Sequence, residues 1–455
     1  MQNPMDVYLS PEHEALRGRV REFADAEIAP VARELDESSR FPWDNVRRMA
    51  DMGLFGVSAP RELGGQGLDY LSYILVIEEL ARVDASHSIT ISAHSTLGTS
   101  PILAFGTEEQ QRRYVPLLAT GRVLGGFGLT EPGAGSDAGG TATVAVRENG
   151  GYRLSGSKIF ITHAGVGEIF VVTAATDRSK GTKGITAFIV TKETTDRAEA
   201  ERVGVGHAPE LEPFTQGVRA AKKEDKMGWR ASDTRELVLD NAFVPEENRL
   251  GAEGEGFIDF MKTLDAGRIG LGALALGLAQ GAFEQALAFT SGREQFGRAL
   301  RDFQGVAFPL ADMATEIAAA RHLVYHAAWL KQHGRPFTRE AAMAKLYASE
   351  LAMRATTRAI QLMGGYGYTS DYPVERMFRD AKICEIGEGT SEVQRLVVSR
   401  DIFRAYDRLA GRVIPDSESR IPDESGDGSS PTSVNRNPET GISESAPRSR
   451  KRTRA

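Results

Sequence analysis

The chain of 455 residues has one cysteine, Cys384, and three tryptophans. A single thiol excludes an internal disulfide and a cysteine-based zinc site, and it fits a reducing compartment. Charge of one sign is not in large excess: 55 Lys and Arg stand against 62 Asp and Glu, a formal charge of −7. That excludes a broad basic surface for nucleic acid. The longest uncharged apolar stretch, near Ile269–Ala279, falls short of the ~20 residues that span a bilayer. No apolar run marks a secretory leader near the start, so the cytoplasm is the default expectation. No G-x-G-x-x-G, no G-x-x-x-x-G-K-[ST] and no G-x-S-x-G occurs, which removes the usual Rossmann, P-loop and hydrolase-elbow readings. His322 and His326 have metal-ligand spacing but no recognisable partner, so two ordinary helix histidines are expected. Cys384 has no activating motif and reads as a small buried residue.

What is present is a helix–strand–helix arrangement. Residues 1–124 read as an N-terminal helical domain. Ser10-Pro11 starts a helix, with a glutamate expected to close its capping box. Tyr70–Val83 and Glu108–Leu118, the latter capped by Thr107, are further helices. Residues 125–246 read as a β-barrel-like middle domain: Thr141–Val146 alternates, Gly150-Gly151 signals a hairpin, and Glu168–Ala174 and Ile185–Val190 are strand-like runs. Glu236–Leu239 and Ala242–Pro245 look like a last strand and its exit. Thr194–Ala221 reads as a long loop. Residues 247–410 read as a C-terminal bundle with helices near Met261–Thr290, Phe303–His333, Thr338–Met363 and Ser391–Ala405. The first of these carries five glycines, from Gly267 to Gly281. Each costs about 1 kcal/mol in a helix interior, so something must approach that helix closely, either another helix or a flat ligand. Residues 411–455 are rich in Ser, Pro and charge and are expected to be a disordered tail with a basic end, Arg448–Arg454.

Three stretches carry chemistry. Leu129–Asp137 (LTEPGAGSD) is a glycine- and hydroxyl-rich turn with a capping Asp, suited to an anionic or carbonyl-rich ligand. Lys158–Ala164 (KIFITHA) places Phe160 and Thr162 on one strand face. Glu385–Gln394 (EIGEGTSEVQ) sets a carboxylate, Glu388, on a glycine turn before a helix; a plain capped helix start is the alternative.

Together with D-x-G-R at Asp265–Arg268 and Q-x-x-G-G-x-G-Y at Gln361–Tyr368, these motifs resemble the acyl-CoA dehydrogenases over about Ser10–Leu409. The pattern is most similar to the short-chain (butyryl-CoA) branch, as in Lys222–Gly228, Thr263–Gly270 and Glu340–Leu346. The resemblance implies that three-part fold, a homotetramer, and FAD held without a Rossmann unit. It implies α,β-dehydrogenation of a short-chain acyl-CoA to the trans-2-enoyl-CoA, with Glu388 taking the α proton and hydride passing to flavin N5. An electron-transfer flavoprotein is the implied acceptor.

The implied flavin contacts are Phe127, Leu129, Thr130, Gly135, Ser136, Phe160, Ile161 and Thr162 on one side. Arg293, Gln304 and Gln361, Leu362, Met363, Gly364 and Gly365 match contacts made partly across a subunit boundary, and Thr390, Ser391 and Glu392 complete the set. Ser136, Asp265, Arg268 and Gly389 match substrate contacts; Arg268 is alternatively a plain surface arginine. Many relatives have Trp at the place of Phe160. Some carry the base at the place of Gly267, which here cannot serve. A branched- or medium-chain substrate is the nearest alternative. A DNA-associated homologue without the reaction would need a basic face and commonly lacks the E-G-T motif that this chain keeps.

Overall fold

The computed structural model describes residues 8–411. It divides into two units, Met1–Phe403 and Arg404–Ala455. Of the second, only the end of the last helix is described. The tail expected from 411, basic end included, lies outside the described residues apart from Gly411.

The first helices are α1 (Pro11–Phe23), α2 (Ala29–Ser38), α3 (Trp43–Asp51), α4 (Tyr70–Ala81), α5 (Ala85–Ser92), α6 (Ser100–Phe105) and α7 (Glu108–Ala119). Ser10 caps α1 as expected, but the reciprocal partner is His13, whose Nδ1 accepts from the Ser10 N–H at 3.0 Å. The third helical position holds histidine, so the glutamate expected to close the box does not do so. His13 Nε2 also reaches Asp69 at 2.9 Å, and Asp69 caps α4. One histidine thus ties two helix starts together. Thr107 and Gln110 form a complete capping box at α7.

The strands are β1 (Gly125–Gly128), β2 (Val144–Glu148), β3 (Gly151–Thr162), β4 (Ile169–Ala175) and β5 (Ile185–Thr191). After the short helix α8 (Arg197–Val203) come β6 (Val218–Lys223), β7 (Thr234–Pro245) and β8 (Arg249–Leu250). They form one sheet in the order β6-β7-β3-β2-β4-β5-β8, with β1 parallel to β4. The hairpin between β2 and β3 turns on Asn149-Gly150, with Gly150 at φ +80°. The run Thr194–Ala221 is not one loop. It contains α8 and the start of β6, short polar elements that carry little periodicity. The expected strand and exit over Glu236–Pro245 are one continuous strand.

The remaining elements are α9 (Gly256–Gly292), β9 (Glu294–Gln295), β10 (Arg298–Ala299), α10 (Gln304–Gln332), α11 (Thr338–Met363), α12 (Gly365–Tyr368), α13 (Val374–Cys384) and α14 (Ser391–Leu409). The glycines of α9 are explained mainly by packing. A Cβ on Gly277 would lie 2.3 Å from the Glu78 carbonyl, and one on Gly281 would lie 2.1 Å from that of Arg82. Both carbonyls belong to the end of α4, so the two helices pack backbone to backbone. Cys384 is fully buried and its thiol is pushed up by burial, as expected of an inert core residue. Among the described residues no helix is long and apolar enough to cross a membrane. Among them, too, no group of three potential ligands is placed to hold a metal ion.

Candidate active site

Glu388 lies on the turn between α13 and α14, where Glu388 and Gly389 are both left-handed, at φ +54° and +91°. A glutamate in that region costs roughly 1–2 kcal/mol, so neighbours must hold it. They do so through the carbonyls of Glu388 and Gly389. Gln394 Nε2 donates to the carbonyls of Glu388 at 3.2 Å and Gly389 at 2.8 Å. Lys345 Nζ, from α11, donates to the Gly389 carbonyl at 2.8 Å. Thr390 caps α14 by accepting from the Val393 N–H at 3.3 Å.

The Glu388 carboxylate rests on α9 at Gly267, where the missing side chain leaves room for it. A Cβ built on Gly267 would lie 2.1 Å from Glu388 Oε2. The residue is half-buried, yet Oε2 is out of contact with solvent and has no hydrogen-bond partner among the described residues. Burial raises its pKa to about 7, against the opposing charges of Lys345 and Arg268. An acid with a buried, unpartnered oxygen and a pKa near neutrality is suited to taking a proton.

Arg268 is itself buried, which disposes of the surface-arginine alternative. Its Nη1 donates to Asp265 at 2.5 Å, and Thr338 Oγ1 donates to the same carboxylate at 2.7 Å. Burial pushes the Asp265 carboxyl up, with Arg268 pulling the other way.

The turn Leu129–Asp137 is anchored from inside. Glu131 and Lys158 are both buried and pair at 2.6 Å. Glu131 also accepts from the backbone of Ala142 at 2.6 Å and from Thr141. Burial would raise the Glu131 carboxyl, but Lys158 and these donors hold it down at about 2. Burial lowers Lys158 to about 8 against the pull of Glu131. Above this anchor, Gly133 and Gly135 face open space and Ser136 is exposed. Asp137 precedes a short 3-10 turn but makes no side-chain cap, contrary to expectation.

The Thr130 carbonyl accepts from the Ile159 N–H at 2.9 Å, joining this turn to β3. Strict alternation in β3 fails there. Lys158 pairs with Leu237 and Ile161 with Arg235, so two residues face one, and Phe160 takes φ +58° at the bulge. The bulge leaves Phe160 62% exposed and turns Ile161 into the core, with Thr162 half-buried. Any contact of Ile161 with a ligand is therefore through its backbone. Phe127 stacks on Phe260, ring centroids 4.0 Å apart, and Leu129 is part-buried beside them.

Thr390, Ser391 and Glu392 open α14 directly after the Glu388 turn, whereas Arg293 lies elsewhere. Arg293 sits at the far end of α9, about 39 Å from Gly267 at about 1.5 Å per residue. It stands over the Tyr366 ring at 5.7 Å, near Gly364 and Gly365. Gln304 and Gln361 are exposed, whereas the Met363 side chain is in the core.

Family models for the N-terminal, middle and C-terminal domains of acyl-CoA dehydrogenase match residues 10–122, 126–242 and 254–403. The chain belongs to the acyl-CoA dehydrogenase family. It is 52% identical over 400 residues to the short-chain specific acyl-CoA dehydrogenase of Clostridium acetobutylicum, covering 88% of this chain and all of that one. It is 42% identical over 394 residues to subunit CarC of the caffeyl-CoA reductase-Etf complex of Acetobacterium woodii, covering 86% and 98%. The solved butyryl-CoA dehydrogenase of Megasphaera elsdenii matches with a TM-score of 0.82 at 44% identity, covering 88% and 100%.

Members of this family are FAD-dependent flavoproteins, and the chain is an enzyme of that kind. The residues present fit such a group: an exposed aromatic on a bulged strand, an open glycine turn, and an orphaned carboxylate oxygen. In this acyl-CoA dehydrogenase the turn that bears Glu388 meets Gly267, and Arg268, paired with Asp265, acts on its charge. Arg293, over the Tyr366 ring next to Gly364 and Gly365, stands apart from them. Sequence reading missed the roles of Lys345, Gln394 and the Glu131–Lys158 pair. For Lys345 the signal was a lysine amid Ala341, Ala342, Ala344 and Ala348 on a mostly apolar helix face.

Proposed function

We propose that the enzyme oxidises a short-chain acyl-CoA to the trans-2-enoyl-CoA, with Glu388 as the base that takes the α proton. The carrying observation is the Glu388 carboxylate itself, set over Gly267 with Oε2 unpartnered and a pKa near 7. The α C–H of a thioester is too weak an acid for an ordinary carboxylate in water. Burial raises the basicity of Glu388, and a bound acyl chain excludes further water. The N–H of Glu388 donates to no described residue and is available to the thioester oxygen, where enolate charge develops. When bound, FAD supplies the two-electron acceptor for the β hydrogen, which leaves as hydride.

Phe127, Leu129, Thr130, Gly135, Ser136, Phe160, the Ile161 backbone and Thr162 would hold the flavin, together with Thr390, Ser391 and Glu392. Ser136, Asp265, Arg268 and Gly389 would contact the substrate. Arg293 would serve the flavin of a neighbouring copy, because about 39 Å of helix separates it from Gly267, over which the base of its own chain lies, and Gln304 and Gln361–Gly365 would serve that same flavin. A homotetramer supplies such a neighbour. Identity to short-chain and butyryl-CoA relatives supports the acyl length, and CarC, named as part of an Etf complex, supports an electron-transfer flavoprotein as acceptor.

The test is anaerobic titration of the yellow holoprotein with butyryl-, octanoyl- and isobutyryl-CoA. Bleaching of the flavin is expected with butyryl-CoA first. Bleaching by the octanoyl or isobutyryl ester in preference would move the assignment to a medium- or branched-chain enzyme. No bleaching by any of the three would overturn it.

A further inference from the structure

We infer that Lys345 is a positioning residue for the base: its ammonium clamps the carbonyl of Gly389 and thereby holds the left-handed turn that presents Glu388, while its charge favours the ionised carboxylate. This rests on the reading of Glu388 given above.

Lys345 is 0% exposed, an uncommon state for a lysine without a carboxylate bonded to it. Its hydrogen bond goes instead to a backbone carbonyl one residue beyond the base. Burying that cation is costly, and a neutral residue would pack more easily among the alanines of α11. The return is local to the turn. Glu388 and Gly389 are consecutive left-handed residues, and the two buried side chains that reach their carbonyls are Lys345 from α11 and Gln394 from α14. With those carbonyls drawn inward, the Glu388 side chain is left over Gly267. Gln394 can hold the turn but brings no charge; Lys345 does both.

The ionisable groups around the turn come from every packed element. Arg268, paired with Asp265, faces it from α9, and Cys384 and Glu385 face it from the end of α13. Glu392 contributes from α14, and Tyr70 and Tyr73 from α4. Burial lowers Lys345 to about 8, with Cys384 and Glu388 pulling it back up, so it is cationic at neutral pH. Replacing it by a neutral residue leaves Arg268 as the remaining cation that favours ionised Glu388.

The experiment uses holoenzyme of wild type, Lys345→Met and Lys345→Gln. Stopped-flow bleaching by saturating butyryl-CoA is followed from pH 6 to 9, beside a binding titration with a non-reacting acyl-CoA thioether. Lys345→Met is expected to bind the thioether as wild type does and to lose about a hundredfold in bleaching rate, as a displaced base would. Its rate–pH midpoint is expected to rise by roughly one unit. Lys345→Gln keeps a donor without the charge; it should recover part of the rate and keep the raised midpoint. If Lys345→Met fails to retain flavin, Lys345→Gln alone decides by its midpoint. An unchanged midpoint in a flavin-loaded variant overturns the inference, as does a wild-type rate in Lys345→Met. Failure of the wild type to bleach at all would instead strike the underlying assignment.

Discussion

At the scale of single residues, the molecule places one acid where it is both hard to ionise and unpartnered. Glu388 is raised to about 7 by burial, against Lys345 and Arg268. Only the ionised form accepts a proton, so the bleaching rate should climb as pH rises through that region and fall away below it. A flat profile between pH 5 and 9 would contradict this. Gly267 is the complementary requirement. A methyl there would sit 2.1 Å from Oε2, and the carboxylate would have to move. Gly267→Ala is expected to retain flavin and lose about a hundredfold in kcat. An unaffected rate, measured with flavin content as control, would show that the carboxylate need not lie there.

At the scale of elements, the turn Leu129–Asp137 and the bulged strand β3 share one buried pair, Glu131 and Lys158. Removing the cation alone strands a carboxylate in the core. Lys158→Met should destabilise by about 3–5 kcal/mol, measured by thermal denaturation, and adding Glu131→Gln should recover part of it. A single variant as stable as wild type would mean that water reaches Glu131. Such pairs also mark where sequence reading stops. The helices α4, α7 and α11 were legible because period, caps and breaks agree in one short window. The motif residues Phe160 and Glu388 were legible as a family pattern. The bulge that re-aims Phe160 and buries Ile161 was not, because it depends on how β3 registers against β7. Lys345 and Gln394 lie 49 residues apart in sequence; only the packing of α11 against the start of α14 gives them a common purpose. The glutamate expected to cap α1 failed for the simplest reason: the third position is a histidine that can accept as well.

At the scale of the whole molecule, α9 sets Arg293 about 39 Å along the helix from Gly267, over which the Glu388 carboxylate lies. Near Arg293 lies a strongly exposed aromatic, Phe296, at 94%, edge-on to Phe303. Co-expression of Glu388→Gln with Arg293→Ala tests the sharing. Each variant alone should be nearly inactive. Mixed oligomers should regain activity, because some sites then combine an intact base from one chain with an intact arginine from the other. No recovery in mixed oligomers of verified composition would place both groups in the same chain's site.

The measurement that bears most directly on the central claim is anaerobic mixing of holo-Glu388→Gln with butyryl-CoA, followed in the flavin absorbance. The amide fills the same space over Gly267 but cannot take the α proton. Perturbation of the spectrum by bound ligand is expected, with bleaching slowed by about a hundredfold to ten-thousandfold. Bleaching at the wild-type rate would contradict the account.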